Sequence, residues 1–147
     1  MATAETIHAS AVVTGERAII IRGPSGSGKS RLARALLQAQ QTGLLPYAKL
    51  VADDRVKIAA AHDRLVVSAP EAIYGMIEVR GLGIRAVECE RLAVAGLVVD
   101  LAADDAARMP ENMTARLLDI LLPRLPIGAA VEPLPIVLAA LNTAPKG

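Results

Sequence analysis

The segment Gly23-Pro24-Ser25-Gly26-Ser27-Gly28-Lys29-Ser30 meets every fixed position of the phosphate-binding pattern G-x-x-x-x-G-K-[ST]. Such a loop constrains the fold because it works only between a strand and a helix, and the flanks supply both. Residues 18–21, Ala-Ile-Ile-Ile, are a short apolar run that predicts a buried strand, and residues 31–40 are rich in helix formers. The expected fold is therefore α/β. The loop glycines permit positive φ and let backbone N–H groups close on phosphate oxygens, while the helix start adds partial positive charge. Lys29 is predicted to reach the β- and γ-phosphates and Ser30 to ligate Mg2+. A chance glycine turn is the competing reading, and the two flanks count against it.

Composition narrows the class. A chain of 147 residues is expected to form one domain spanning 1–147. It has no Trp or Phe and only two Tyr, so its core must be aliphatic. A net charge of +1 with so few stacking aromatics argues against a general nucleic-acid binder. The single cysteine, Cys89, excludes a disulfide framework or a multi-cysteine zinc site and reads as a small hydrophobe near the core. No charged segment followed by an apolar run and cleavage site is visible, and the longest apolar run, residues 92–101, contains Asp100 and is too short to span a bilayer. The expectation is a soluble cytoplasmic protein with no membrane contact.

Along the chain, residues 6–13 predict one strand, a turn at 14–16 leads into the strand before the loop, and Gly43 stops the helix after it. Residues 49–52 predict a strand ending at Asp53-Asp54, and 56–61 with 65–68 a hairpin around His62-Asp63. A short helix is expected at 71–74, an extended segment passing into a loop over 77–84, and a buried strand over 95–101. Residues 102–111 read as a polar link and 117–122 as a strand or a turn of helix. Pro123, Pro126, Pro133 and Pro135 are expected to interrupt regular structure over 123–135, before a last helix at 136–141.

Phosphoryl transfer needs a second metal ligand and a group to take the nucleophile's proton. Asp53 and Asp54 come directly after an apolar strand, and ligands of an open α/β sheet sit off the carboxyl ends of strands. Neighbouring side chains there point to different faces, so the two carboxylates should differ in role. The competing reading is a plain turn. In Glu78-Val79-Arg80-Gly81-Leu82-Gly83, Glu78 is a candidate Mg2+ ligand and Arg80 a candidate phosphate clamp, against a surface ion pair beside a flexible turn. His62 reads as solvated. His8 lies on the first strand, which could run beside the loop strand.

Together these segments resemble the catalytic domain of HPr kinase/phosphorylase, the bacterial enzyme that phosphorylates a serine of the phosphocarrier protein HPr. The resemblance rests on His8 at its spacing from Lys29, on the loop 23–30, on Leu50-Val51-Ala52-Asp53-Asp54-Arg55-Val56 and on Ile77-Glu78-Val79-Arg80-Gly81-Leu82-Gly83-Ile84. It implies the P-loop fold that this family shares with phosphoenolpyruvate carboxykinase, and ATP with Mg2+ bound by Gly23, Pro24, Ser25, Gly26, Ser27, Gly28, Lys29 and Ser30. It implies that Ser30 and Glu78 hold Mg2+, that Asp54 takes the serine proton with Asp53 beside it, and that His8 lines the same pocket. Arg108 matches a downstream catalytic arginine, and Pro123-Arg124-Leu125-Pro126 loosely matches a segment linked to the reverse reaction. In that reaction inorganic phosphate attacks phosphoseryl-HPr and yields pyrophosphate. The resemblance also implies a homo-oligomer and the short, alphaproteobacterial form that lacks an N-terminal regulatory domain. The sequence departs from the family at Ala9, where Gly is usual, at Ala86, where an acid is usual, and in a proline-rich tail without a basic stretch.

Two other readings compete. A small-metabolite kinase or ATPase would bring an arginine-rich lid, which is not evident. An ATP-sensing module would need Lys29 and Ser30 but not Asp54, so Asp54→Asn separates it from a kinase.

Overall fold

The computed structural model describes residues 4–107 and 109–144. Its elements in order are β1 (Ala4–His8), β2 (Ser10–Thr14), β3 (Arg17–Arg22), α1 (Lys29–Gln41), β4 (Lys49–Ala52), β5 (Arg55–Ala61), β6 (Arg64–Ser68), a 3-10 turn (Glu71–Ile73), β7 (Met76–Val79), β8 (Gly83–Ala86), β9 (Leu92–Leu101), β10 (Thr114–Leu117), β11 (Ile120–Ile127) and α2 (Pro133–Asn142).

The main sheet runs β1-β5-β6-β9-β3-β2-β4, with β11 also beside β9 and β10 beside β11. Among the described residues, the β3–β9 and β9–β11 pairs of this sheet are parallel and its other strand pairs antiparallel. The sheet is thus mixed, and it carries the expected βα unit at its centre. β3 is buried on both faces, which explains its uninterrupted apolar sequence. Ile19 and Ile21 pack with Val12 against Leu32, Ala33 and Leu36 of α1 and Val137 of α2. Ala18 and Ile20 face the other way, into a second core with Val56, Ile58, Leu65, Val67 and Leu122. Both cores are aliphatic, as the composition requires.

Several expectations are corrected. Residues 6–13 are two strands broken at Ala9: β1 pairs with β5, and β2 with β3 and β4. His8 therefore does not lie on a strand beside the loop strand. The Ala9 N–H still follows the β1–β5 register, donating to the Asp54 carbonyl opposite it (3.1 Å), and from Ser10 the chain changes partner to β3. β9 begins at Leu92, earlier than expected, since residues 92–94 pair with β6 before 95–100 pair with β3. Residues 117–122 are a hairpin crossing, with Leu118 and Asp119 both at positive φ, the two-residue turn that also joins β5 to β6 at His62-Asp63.

Pro123 and Pro126 lie inside β11 and break nothing. The Arg124 N–H donates to the Met113 carbonyl (2.8 Å), on the β10 side. Alternation puts the Pro126 nitrogen on that same side, beyond the end of β10, where no ladder bond is lost. Pro133 and Pro135 stand in the first turn of α2, where a missing N–H costs no helical bond.

Candidate active site

The loop 23–28 joins the carboxyl end of β3 to α1. Gly28 caps the helix at φ 101°, without a side-chain cap, and the first turn of α1 holds no acidic residue. The first N–H groups of that helix have no intrahelical acceptor, so their partial positive charge is uncompensated and faces the loop. The Lys29 ammonium donates to the carbonyls of Gly23 (2.9 Å) and Pro24 (3.3 Å), which folds its stem over the loop. A Cβ on Gly23 would stand 2.4 Å from Ser27 Oγ and 3.1 Å from the Leu101 backbone oxygen, so any larger residue at the start of the loop displaces the Ser27 hydroxyl and crowds β9. Ser27 Oγ is buried with no hydrogen-bond partner among the described residues, a polar atom left for a ligand oxygen or water in the cradle.

The two carboxylates have opposite environments, as the sequence suggests. Asp53 is only 6% exposed. Its Oδ1 accepts from Ser10 Oγ (2.8 Å) and Ser30 Oγ (2.6 Å), and its Oδ2 from the Glu78 N–H (3.3 Å). It therefore ties the loop serine, β2 and β7 to one anion. The Asp54 side chain is 65% exposed, and His8 Nδ1 lies 3.8 Å from its Oδ1. The Asp54 backbone has φ 69°, and the Arg55 N–H donates to the Asp53 carbonyl (2.8 Å). That is a three-residue γ-turn in its strained, positive-φ form.

Glu78 and Arg80 come from the β7–β8 hairpin, whose connecting residues include Gly81 at φ 86°. The hairpin closes an open cleft of about 460 Å3 lined by residues 25–31 with Arg34, Asp54, Glu78 and Arg80. Lys29, Ser30, Asp54 and Glu78 are thus brought together, with Asp53 buried behind Ser30 and His8 against the rim through Asp54. Arg108 lies outside the described residues. His62 is exposed at its hairpin tip. Cys89 is half-buried against the α1-side core, and burial pushes its thiol pKa up.

Sequence reasoning missed two features. One is Ser10, fully buried beside Asp53. The other is an ionic cluster under the loop. Arg22, the residue before Gly23, donates to both Asp100 oxygens (2.7 and 2.8 Å). Arg124 donates to Asp100 (2.5 Å), to both Asp105 oxygens (2.7 and 2.9 Å) and to the Asn112 carbonyl (2.9 Å). Burial pushes the Asp100 carboxyl up, but the two guanidiniums outweigh it and hold its pKa below the ordinary value. Arg124, seen from sequence only as part of a loose motif, is committed to this cluster. Asp100 after Leu97-Val98-Val99 was the only available signal.

Among the described residues no three His, Cys, Asp or Glu side chains form a metal cage. The donor set instead suits a cation that keeps waters and substrate phosphate oxygens and takes one or two protein oxygens, which is how Mg2+ is held.

A glycine loop from a central parallel strand into an uncapped helix, with a carboxylate bonded to the loop serine, defines a P-loop α/β protein. The sequence model of the HPr serine kinase C-terminal domain matches residues 1–91. The chain belongs to that family. It is 36% identical over 124 residues to the HPr kinase/phosphorylase of Geobacillus thermodenitrificans, across 74% of this chain and 37% of that protein. With the HPr kinase/phosphorylase of Clostridium tetani it is 44% identical over 66 residues, 45% of this chain and 19% of that one. The matched stretch thus spans 37% of the first of these curated relatives and 19% of the second. The structure of the Hpr(Ser) kinase/phosphatase from Coxiella burnetii superposes with a TM-score of 0.76 over 94% of this chain and 88% of that one, at 21% identity, a likeness of fold.

Proposed function

We propose that this protein is an ATP- and Mg2+-dependent kinase that phosphorylates a serine of the carrier protein HPr. The observation that carries the reading is the division of labour between the acidic neighbours. Asp53 is buried and its hydrogen-bonding capacity is engaged, whereas Asp54 is exposed in the cleft beside the phosphate loop. A serine hydroxyl is a weak nucleophile that needs an aimed base. In this reading the loop N–H groups and Lys29 hold the β- and γ-phosphates. Asp54 accepts the serine Oγ–H proton as Oγ bonds to the γ-phosphorus, and the bond from that phosphorus to the bridging oxygen breaks to release ADP. His8 orients Asp54 from the rim. Ser30 and Glu78 would hold Mg2+, which neutralises phosphate charge when bound. Asp53 would fix the Ser30 hydroxyl.

With inorganic phosphate as nucleophile and phosphoseryl-HPr as substrate, the same carboxylate returns the proton as general acid and pyrophosphate forms. The reading extends to a single catalytic domain over 1–147, a cytoplasmic site of action and self-association. The discriminating experiment compares Asp54→Asn with wild type. ATP affinity within about threefold, with transfer reduced by about 100-fold or more, is expected for loss of a general base. Transfer at the wild-type rate would remove Asp54 from the mechanism, and an ATP-binding wild type that transfers nothing would favour a sensor.

A further inference from the structure

Among the described residues, Ser10 and Asp53 are the only buried polar side chains. The phosphotransfer chemistry uses Asp53 and leaves Ser10 without a role. The Ser10 hydroxyl is engaged as donor and as acceptor: it donates to Asp53 Oδ1 (2.8 Å) and accepts the Asp54 N–H (3.2 Å). One residue earlier, the Ala9 N–H donates to the Asp54 carbonyl (3.1 Å). The break between β1 and β2 therefore grips the peptide units on both sides of Asp54, the residue with strained backbone at φ 69°. A backbone of that kind persists only where its surroundings over-determine it. An exposed carboxylate on an unsupported turn would sample many directions. A base must instead stay within hydrogen-bond reach of the proton it removes.

We propose that Ser10 is a positioning residue of the phosphotransfer site: its buried hydroxyl couples the two neighbouring carboxylates, locking the γ-turn that aims Asp54 while orienting Asp53 toward Ser30. This rests on the kinase reading. Ser10 touches neither substrate nor nucleotide. It acts through the Asp54 amide and the Asp53 carboxylate. Its loss should therefore lower the rate of the chemical step and leave nucleotide binding, which belongs to the loop and Lys29, largely intact.

The test uses the full chain and has a readout that needs no substrate. Amide hydrogen exchange by NMR is compared in wild type, Ser10→Ala and Ser10→Thr. In Ser10→Ala the Asp54 amide should exchange about tenfold faster or more, with the core amides of Ile20 and Val51 unchanged, as a local opening requires. In parallel, kcat for HPr phosphorylation should fall by about 10–100-fold, with the Kd for ATP within about threefold, the range expected for misplacing a reacting group. Ser10→Thr keeps the hydroxyl and should stay near wild type in both readouts. Unchanged Asp54 exchange in Ser10→Ala, or a wild-type kcat, overturns the proposal. So does an equal rise in exchange at Ile20, Val51 and Asp54, or an ATP affinity that falls by the same factor as kcat, since either marks general loosening. A wild-type protein that transfers no phosphate to HPr would overturn the kinase reading itself, and that outcome is distinct because it appears before any variant is made.

Discussion

Replacing Asp53 with Asn keeps the size of the side chain and removes its charge, so the effect reports what the carboxylate holds together. The carboxylate accepts from two hydroxyls on one oxygen and from the Glu78 amide on the other. An asparagine offers one acceptor and one donor group. If its oxygen faces Ser10 and Ser30, its NH2 meets the Glu78 N–H, donor against donor. If it is turned over, its NH2 faces the two hydroxyls, which must then accept from it, and the buried Ser10 O–H loses its acceptor. Either way at least one buried donor is left without its acceptor and the remaining bonds no longer end on a charge. Hydrogen bonds to charged groups contribute about 1.5–3 kcal/mol each, so a net loss of about 2–3 kcal/mol is expected. For 147 residues, 1 kcal/mol corresponds to about 3 °C in Tm, which places Asp53→Asn about 6–10 °C below wild type. Thermal unfolding followed by circular dichroism at pH 7 measures this directly. A cycle with Ser10→Ala should return a coupling of about 1 kcal/mol, because the pair shares a buried bond. A Tm within about 2 °C of wild type would refute the argument that Asp53 is the hub between β2, the loop serine and β7.

Other perturbations test separate parts of the molecule. Asp100→Asn leaves Arg22 and Arg124 without their shared, partly buried anion and should cost about 1.5–3 kcal/mol at pH 7. Because the folded pKa of Asp100 lies below its ordinary 3.8, its contribution is present above that value and lost as pH falls through the folded value. The Tm gap between wild type and Asp100→Asn should therefore shrink in acid, and an equal gap at pH 7 and well below 3.8 would contradict it. Gly23→Ala brings a Cβ to within 2.4 Å of Ser27 Oγ and 3.1 Å of Leu101, so the Ser27 hydroxyl must leave its place in the cradle and the loop start is crowded. ATP affinity by calorimetry should then fall by at least about tenfold, a loss of one to two hydrogen bonds to phosphate. Lys29→Ala removes the ammonium over the loop and should weaken ATP by about 10–100-fold while shifting Tm little, as its bonds reach only the Gly23 and Pro24 carbonyls.

The parts of this molecule legible in its sequence are those set by local pattern. The loop, α1, β4 with its two terminal aspartates and the His62-Asp63 hairpin arise from glycine placement, helix period and alternation over a few residues. The features that escaped it are set across the fold. Residues 6–13 alternate like one strand, yet the chain changes partners at Ala9, from β5 before it to β3 and β4 after it, a choice made by strands far along the chain. Pro123 and Pro126 suggest a broken segment by propensity, and they stand in β11 because its two neighbours cover different halves of it. Ser10 carries no sequence signal, since a serine in an apolar strand becomes informative only when Asp53 is seen against it. Arg22, Asp100, Asp105 and Arg124 are likewise far apart in sequence and meet only because β3, β9 and β11 lie side by side.

The measurement that bears most directly on the central claim is the intact mass of HPr after incubation with this protein, ATP and Mg2+, with the modified residue then mapped. One added phosphoryl group on a serine is predicted, formed by wild type and absent with Asp54→Asn. Unmodified HPr in the presence of a wild-type protein that binds ATP would contradict the kinase reading.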